Sequence, residues 1–111
     1  MNTEKDFDDM RSTPRFRLRS YVNLEDSEQD LDAHLLNISE GGALIAVLGD
    51  FELELGEKLN VNIELDCAAK LELSGHISHI KEHYVGLTCE GRRHSEQRRL
   101  KQLLEQLEEA R

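Results

Sequence analysis

The chain has 111 residues, enough for one domain with a single modest core. Its hydrophobic content of 38% suits a globular fold, and no apolar run approaches the ~20 residues of a membrane-spanning helix. A net charge of −9 excludes a general nucleic-acid binder, which needs a basic face to displace counterions from phosphates.

Residues 1–10 form an acidic tail in which only Met1, Phe7 and Met10 could pack. They lack the apolar segment of a secretory signal, so the expected location is cytoplasmic. From Phe16 the pattern alternates, with Phe16, Leu18 and Val22 on one side and Arg17, Arg19 and Tyr21 on the other, which predicts a strand. Glu25 to Asp30 is a polar turn. A second strand runs from about Leu31 to Ile38, and a tight turn over Ser39–Gly42 leads to a third, Ala43 to Leu48. Gly49-Asp50 breaks the pattern, and Phe51, Leu53 and Leu55 then predict a short further strand ended by Gly56.

The cleanest alternation follows, with Leu59, Val61, Ile63 and Leu65 set against Asn60, Asn62, Glu64 and Asp66. Leu71, Leu73, Gly75 and Ile77 continue one face of a long strand that reaches Ile80. Lys81-Glu82-His83 is a short connection, and Tyr84 to Cys89 is the last strand. Short strands with tight connections and no βαβ rhythm indicate an antiparallel barrel or sandwich. After Gly91 the period changes: Leu100, Leu103, Leu104 and Leu107 form the stripe of an amphipathic helix over about residues 95–109, with Ser95 as the expected N-cap. Arg98 and Arg99 lie early and Glu105, Glu108 and Glu109 late, against the helix dipole, so the leucine stripe must hold the helix to the barrel or to a partner.

Cys67 and Cys89 lack metal-ligand spacing and sit beside apolar strand patterns, which reads as buried, reduced thiols. His76, His79 and His83 match no standard zinc ligand set, so no metal is expected. No nucleophile triad, phosphate-binding glycine loop or paired-carboxylate motif stands out, and the chain reads as a binding protein rather than an enzyme.

The arginines are unevenly placed: Arg11, Arg15, Arg17 and Arg19 form one cluster, Arg92, Arg93, Arg98 and Arg99 another, and none lies between them. Scarce, clustered positive charge on an acidic chain suits a confined anion site. Arginine grips a phosphodiester through two parallel hydrogen bonds, and the same fork fits O6 and N7 of guanine. Arg11 and Arg15 stand four residues apart with Pro14 stiffening the segment before the second. About twenty residues on, Asn37 and Ser39 offer short polar groups to a base edge, and Gly41 and Gly42 allow close backbone approach.

In this order and spacing, Arg11-x-x-x-Arg15 and Asn37-x-Ser39-x-x-Gly42 resemble the two motifs of the PilZ domain family of bacterial cyclic di-GMP receptors. The resemblance extends from about Arg11 to Leu107, with Gly75 and Gly86 in the later strands and the C-terminal helix. It implies a mainly β fold, a six-stranded antiparallel split barrel with a C-terminal α-helix, binding cyclic di-GMP on its outer face. The domain then spans residues 11–111. The arginines would engage phosphates and guanine, and Asn37, Ser39 and Gly42 would hold a guanine edge. Asn37 stands where many members have Asp. Met10 stands where members that bind an intercalated dimer often have arginine, which favours one nucleotide per site. His79 falls near a position where some members present an aromatic or basic residue to the base.

The function implied is a cyclic di-GMP effector whose N-terminal segment orders on binding and which signals through a downstream protein, in motility, biofilm or surface-polymer control. DNA or RNA and membrane insertion are not expected. An adaptor of the same fold that does not bind nucleotide is the alternative.

Overall fold

The computed structural model describes residues 15–65 and 69–110. Six strands and one helix follow in order: β1 (Phe16–Glu25), β2 (Asp30–Ser39), β3 (Gly42–Val47), β4 (Lys58–Glu64), β5 (Lys70–Lys81), β6 (Tyr84–Gly91) and α1 (His94–Glu109). All neighbours are antiparallel, and the sheet closes in the order β1-β2-β3-β6-β5-β4, with β4 returning to β1. The expected mainly β barrel with a C-terminal helix is the fold observed. The closing pair joins Val22–Glu25 of β1 to Asn60–Ile63 of β4.

The alternation seen in the sequence has a direct cause in this closure. One side of every strand must fill the interior, and Val22, Leu24, Ala33, Leu35, Ile45, Val61, Ile63, Leu71, Leu73 and Val85 are completely buried there. Gly75 faces the interior too, where an added Cβ would lie 3.3 Å from both Cys89 Cβ and Val61 Cγ2. Cys89 is a free, buried thiol, as expected, whereas Cys67 lies outside the described residues.

The β1–β2 register shifts between Arg17 and Ser20, and two further breaks decide which side chains of β2 and β5 reach the outer face. The β2–β3 register shifts between Leu35 and Asn37, and the β5–β6 register shifts between Ile77 and His79. The extra residues, Leu36 and Ser78, are β-bulges. Inward positions therefore pass from Leu35 to Ile38 and from Ile77 to Ile80, at a spacing of three rather than two. Asn37 and His79 are turned to the outer face as a result.

Two local expectations are corrected. Phe51, Leu53 and Leu55 form no strand: this connection is a loop whose end is a turn, with the Glu57 N–H donating to the Glu54 carbonyl at 3.1 Å. Phe51 and Leu53 pack partly against the core while Leu55 stays 67% exposed, because the turn around Gly56 (φ +85°) points Leu55 away from the barrel. The helix begins at His94, so its N-cap is Arg93, with no side-chain cap bond, rather than Ser95. The first turn is tied to the barrel instead. Glu96 accepts the Glu72 N–H of β5 at 2.9 Å, and the Gln97 side chain accepts the Gly91 N–H of β6 at 2.6 Å. Leu100 is completely buried, and Leu103, Leu104 and Leu107 pack partly against the core. α1 thus lies across the barrel end formed by the start of β1 and the end of β6, held by packing and by these two bonds.

Candidate functional site

The second motif sits at that same end. β2 runs out through Asn37 and Ser39, Glu40 and Gly41 make the turn, and Gly42 opens β3. Gly41 has φ +91°, a conformation that a side chain would oppose, so the turn needs glycine there. Ser39 is completely buried, and its hydroxyl donates to the Gly42 carbonyl at 3.4 Å. The hydroxyl therefore braces the turn from beneath. Glu40 at the tip pairs with Lys101 of α1 at 3.8 Å, a solvated contact of small energy that sets the helix beside the turn.

Arg15 immediately precedes β1, and its guanidinium Nη1 donates to Asn37 Oδ1 at 2.5 Å. The two motifs, twenty-two residues apart, are thus in direct contact. Arg15 also senses β6: burial pushes the Cys89 thiol up to about 12, and the nearby Arg15 charge opposes that rise. Arg11, Met10 and Pro14 lie outside the described residues.

Cross-strand partners share a face, so the registers trace two outward rows around the barrel wall. One is Arg17, Asn37, Leu44, Gly86 and His79, from β1 across β2, β3 and β6 to β5. The other is Thr88, His76 and Lys58, continued at the motif turn by Ser39 and Gly42, which are on the same side but buried. At about 4.8 Å per strand step, His79 stands roughly 14 Å from Asn37 along the first row. Between them stand the half-buried Leu44 and then Gly86, which bears no side chain and where a Cβ would come within 3.2 Å of His79 Cβ. The wall beside the motif turn is consequently low at Gly42 and Gly86. Arg17 and His79 rise at its two sides, both exposed. Such a floor is apolar at Leu44 and bare at Gly86, with cationic or hydrogen-bonding groups at its edges.

Arg17 is a residue that strand alternation alone did not single out. It belongs to the N-terminal arginine cluster, but only the β1–β2 register puts it opposite Asn37. His76 shares the outer face with His79 in the adjacent row, whereas His83 lies in the turn at the opposite end. Among the described residues, no three His, Cys, Asp or Glu side chains converge as a metal site.

Comparison with known proteins bears on the family and the fold. The sequence model of the PilZ domain matches residues 9–106. No curated protein matches the chain significantly. Among solved structures, the chain is similar to the inhibitor of motility (MotI/DgrA) of Bacillus subtilis, with a TM-score of 0.73 and 20% identity over 87% of this chain and 50% of that one. It therefore spans about half the length of that protein. It is also similar to the PilZ domain of YcgR from Escherichia coli, solved with c-di-GMP, with a TM-score of 0.76 and 11% identity over 91% of this chain and 93% of that one. The PilZ domain of CeSA from a cellulose-synthesizing bacterium gives a TM-score of 0.71 and 15% identity over 86% of this chain and 98% of that one. At these identities the likeness is one of fold. Among the described residues, no helix is long and apolar enough to cross a membrane.

Proposed function

The chain belongs to the PilZ domain family, and from that premise we propose that it is a bacterial cyclic di-GMP-binding adaptor, not an enzyme, acting in the cytoplasm through a partner protein. The observation that carries this reading is the contact of Arg15 with Asn37, which joins the two motifs at one edge of the low outer wall.

In this proposal the guanidinium of Arg15 exchanges its neutral acceptor on Asn37 for a phosphate or guanine edge, a stronger charge-assisted partner. Asn37, released from Arg15, presents its amide to a guanine edge. Gly42 keeps the wall low for the base, and Ser39 holds the turn that presents both. Arg11 supplies the second guanidinium of the motif. His79 stands on the same wall and offers a stacking surface to the second base. Drawing Arg11 and Arg15 onto the ligand orders the segment near residues 8–15 against the barrel, within a functional unit of residues 11–111, and this changes the surface seen by a partner.

Titration calorimetry with cyclic di-GMP tests the reading. Micromolar or tighter binding is expected. Arg15→Ala should weaken it by about 1.5–3 kcal/mol, roughly 10- to 150-fold. Ser39→Ala should cost less, since its hydroxyl acts through the turn. Saturable binding indifferent to Arg11→Ala, Arg15→Ala and Asn37→Ala would remove the site assignment. Absence of any binding would favour the alternative, an adaptor of this fold that works without nucleotide.

A further inference from the structure

The end of the barrel away from the motif turn has a composition of its own. Antiparallel connectivity brings together there the β1–β2 turn, the long connection from β3 to β4 and the β5–β6 turn. An open recess of about 1330 Å³ lies among them. Six carboxylates line it, those of Glu28, Asp50, Glu52, Glu54, Glu57 and Glu82, and no lysine or arginine does. Among the described residues, the exposed large hydrophobic side chains are Leu48 (47%), Leu55 (67%) and Tyr84 (46%), and all three flank this end.

The loop that carries Leu55 is also held in place. Glu57 Oε1 accepts the Glu54 N–H at 3.1 Å, and the Gln29 side chain reaches from the β1–β2 turn to the Glu52 carbonyl at 3.0 Å. The Gly56 N–H donates to the Ile77 carbonyl at 2.7 Å, and the Ile77 N–H returns a bond to the Glu57 carbonyl at 3.0 Å. Leu55 is therefore fixed outward on a braced turn, so little conformational entropy remains to be lost when a partner covers it.

We propose that this end is the docking surface for a cationic, amphipathic segment of a partner protein, with Leu55 and its apolar neighbours as anchors and the carboxylate rim pairing with lysines or arginines. The proposal rests on the adaptor reading and supplies the chemistry of its partner. Phosphates, nucleic acids and anionic lipid headgroups would be repelled by six carboxylates. A small metabolite is a poor fit, because the recess is wider than the ~300–1,000 Å³ of typical small-molecule sites and is acidic rather than apolar at its rim. A basic segment carrying a large apolar side chain satisfies both the charge and the exposed hydrophobes.

The test uses the full chain and a short amphipathic helical peptide of lysine and leucine, with a glutamate-for-lysine peptide as control, read by amide-resolved NMR and fluorescence anisotropy. Shifts should cluster at residues 48–57 and 82–84. Leu55→Ser and the double variant Glu52→Lys, Glu54→Lys should each weaken binding by about tenfold or more. Arg15→Ala should leave peptide binding unchanged, and Leu55→Ser should leave cyclic di-GMP binding unchanged, so each reading can fail without the other. Shifts centred on α1, or equal binding of the control peptide or by Leu55→Ser, would overturn the proposal. So would concentration-dependent self-association in sedimentation that Leu55→Ser abolishes, which would make a second copy, offering its arginine-rich end, the occupant.

Discussion

At one end of the barrel a helix lies across the opening, and every arginine among the described residues is found there or on the helix itself. At the other end only loops cross, and the recess between them is lined with carboxylates. The first end is closed by packing: Leu100 is inside the core, and the first helical turn is stitched to β5 and β6. The second is shaped by backbone hydrogen bonds that hold a leucine out in water. The difference teaches that net charge describes this chain poorly. A net charge of −9 hides an uneven distribution, with arginines gathered toward one end and carboxylates, without lysine or arginine, lining the recess at the other.

Glycines offer the sharpest way to break that contrast. At the helix-covered end a Cβ on Gly91 would lie 2.2 Å from the Gln97 backbone nitrogen, so Gly91→Ala must push the helix off the barrel. A loss of about 3 kcal/mol is expected, with a fall in Tm of roughly 15 °C in a thermal melt. A Tm within a few degrees of the parent would mean that α1 is not needed to close this end.

Glu96→Ala should come next. It leaves the Glu72 N–H without its carboxylate acceptor and removes the ion pair with Arg99, at a cost of about 2 kcal/mol in urea denaturation. The Glu72 N–H and the Arg99 charge hold the Glu96 carboxyl below its ordinary range. Its contribution is thus complete above the unfolded carboxylate range and is lost as pH falls through the lowered folded value. The parent should lose stability in acid more steeply than Glu96→Ala, and parallel pH profiles would discount the bond.

The smallest effect belongs to the loop end. Around Gly56 nothing lies within 4 Å of an added Cβ, so Gly56→Ala meets only the strain of φ +85°. About 1 kcal/mol is expected, measured by the same denaturation. A loss as large as that of Gly91→Ala would show that the loop end is as tightly packed as the helix end.

The barrel was legible because its strands alternate so regularly: the interior positions of β4 can be named from Leu59, Val61 and Ile63 alone. The leucine stripe of α1 was equally plain. Two features were hidden for physical reasons. Leu55 continues an apolar pattern with Phe51 and Leu53, yet turn geometry at Gly56, not hydrophobicity, decides where it points. Ser95 has the chemistry of a cap, but the residues that fasten this helix act on neighbouring strands rather than on its own first turn. At the candidate site, the motif spacing pointed to Arg15, Asn37, Ser39 and Gly42, and the structure joins Arg15 to Asn37 and places Ser39 beneath Gly42. Arg17 was not legible as a neighbour of Asn37, because no property of one strand reveals its register against another.

The bulges at Leu36 and Ser78 give the site a tolerance of changes in strand length. Whether Asn37 and His79 face outward is a matter of parity, decided by how each strand takes up one supernumerary residue. Taken up as a bulge, the extra residue leaves Asn37 and His79 outward; forced into regular pairing it would turn each of them inward and expose the following isoleucine, whereas loss of the Leu36 or Ser78 codon itself would keep both outward on a straighter strand. In a lineage of such barrels, the outer wall can therefore survive a single insertion or deletion that the strand takes up as a bulge, while the closed barrel around it remains the same.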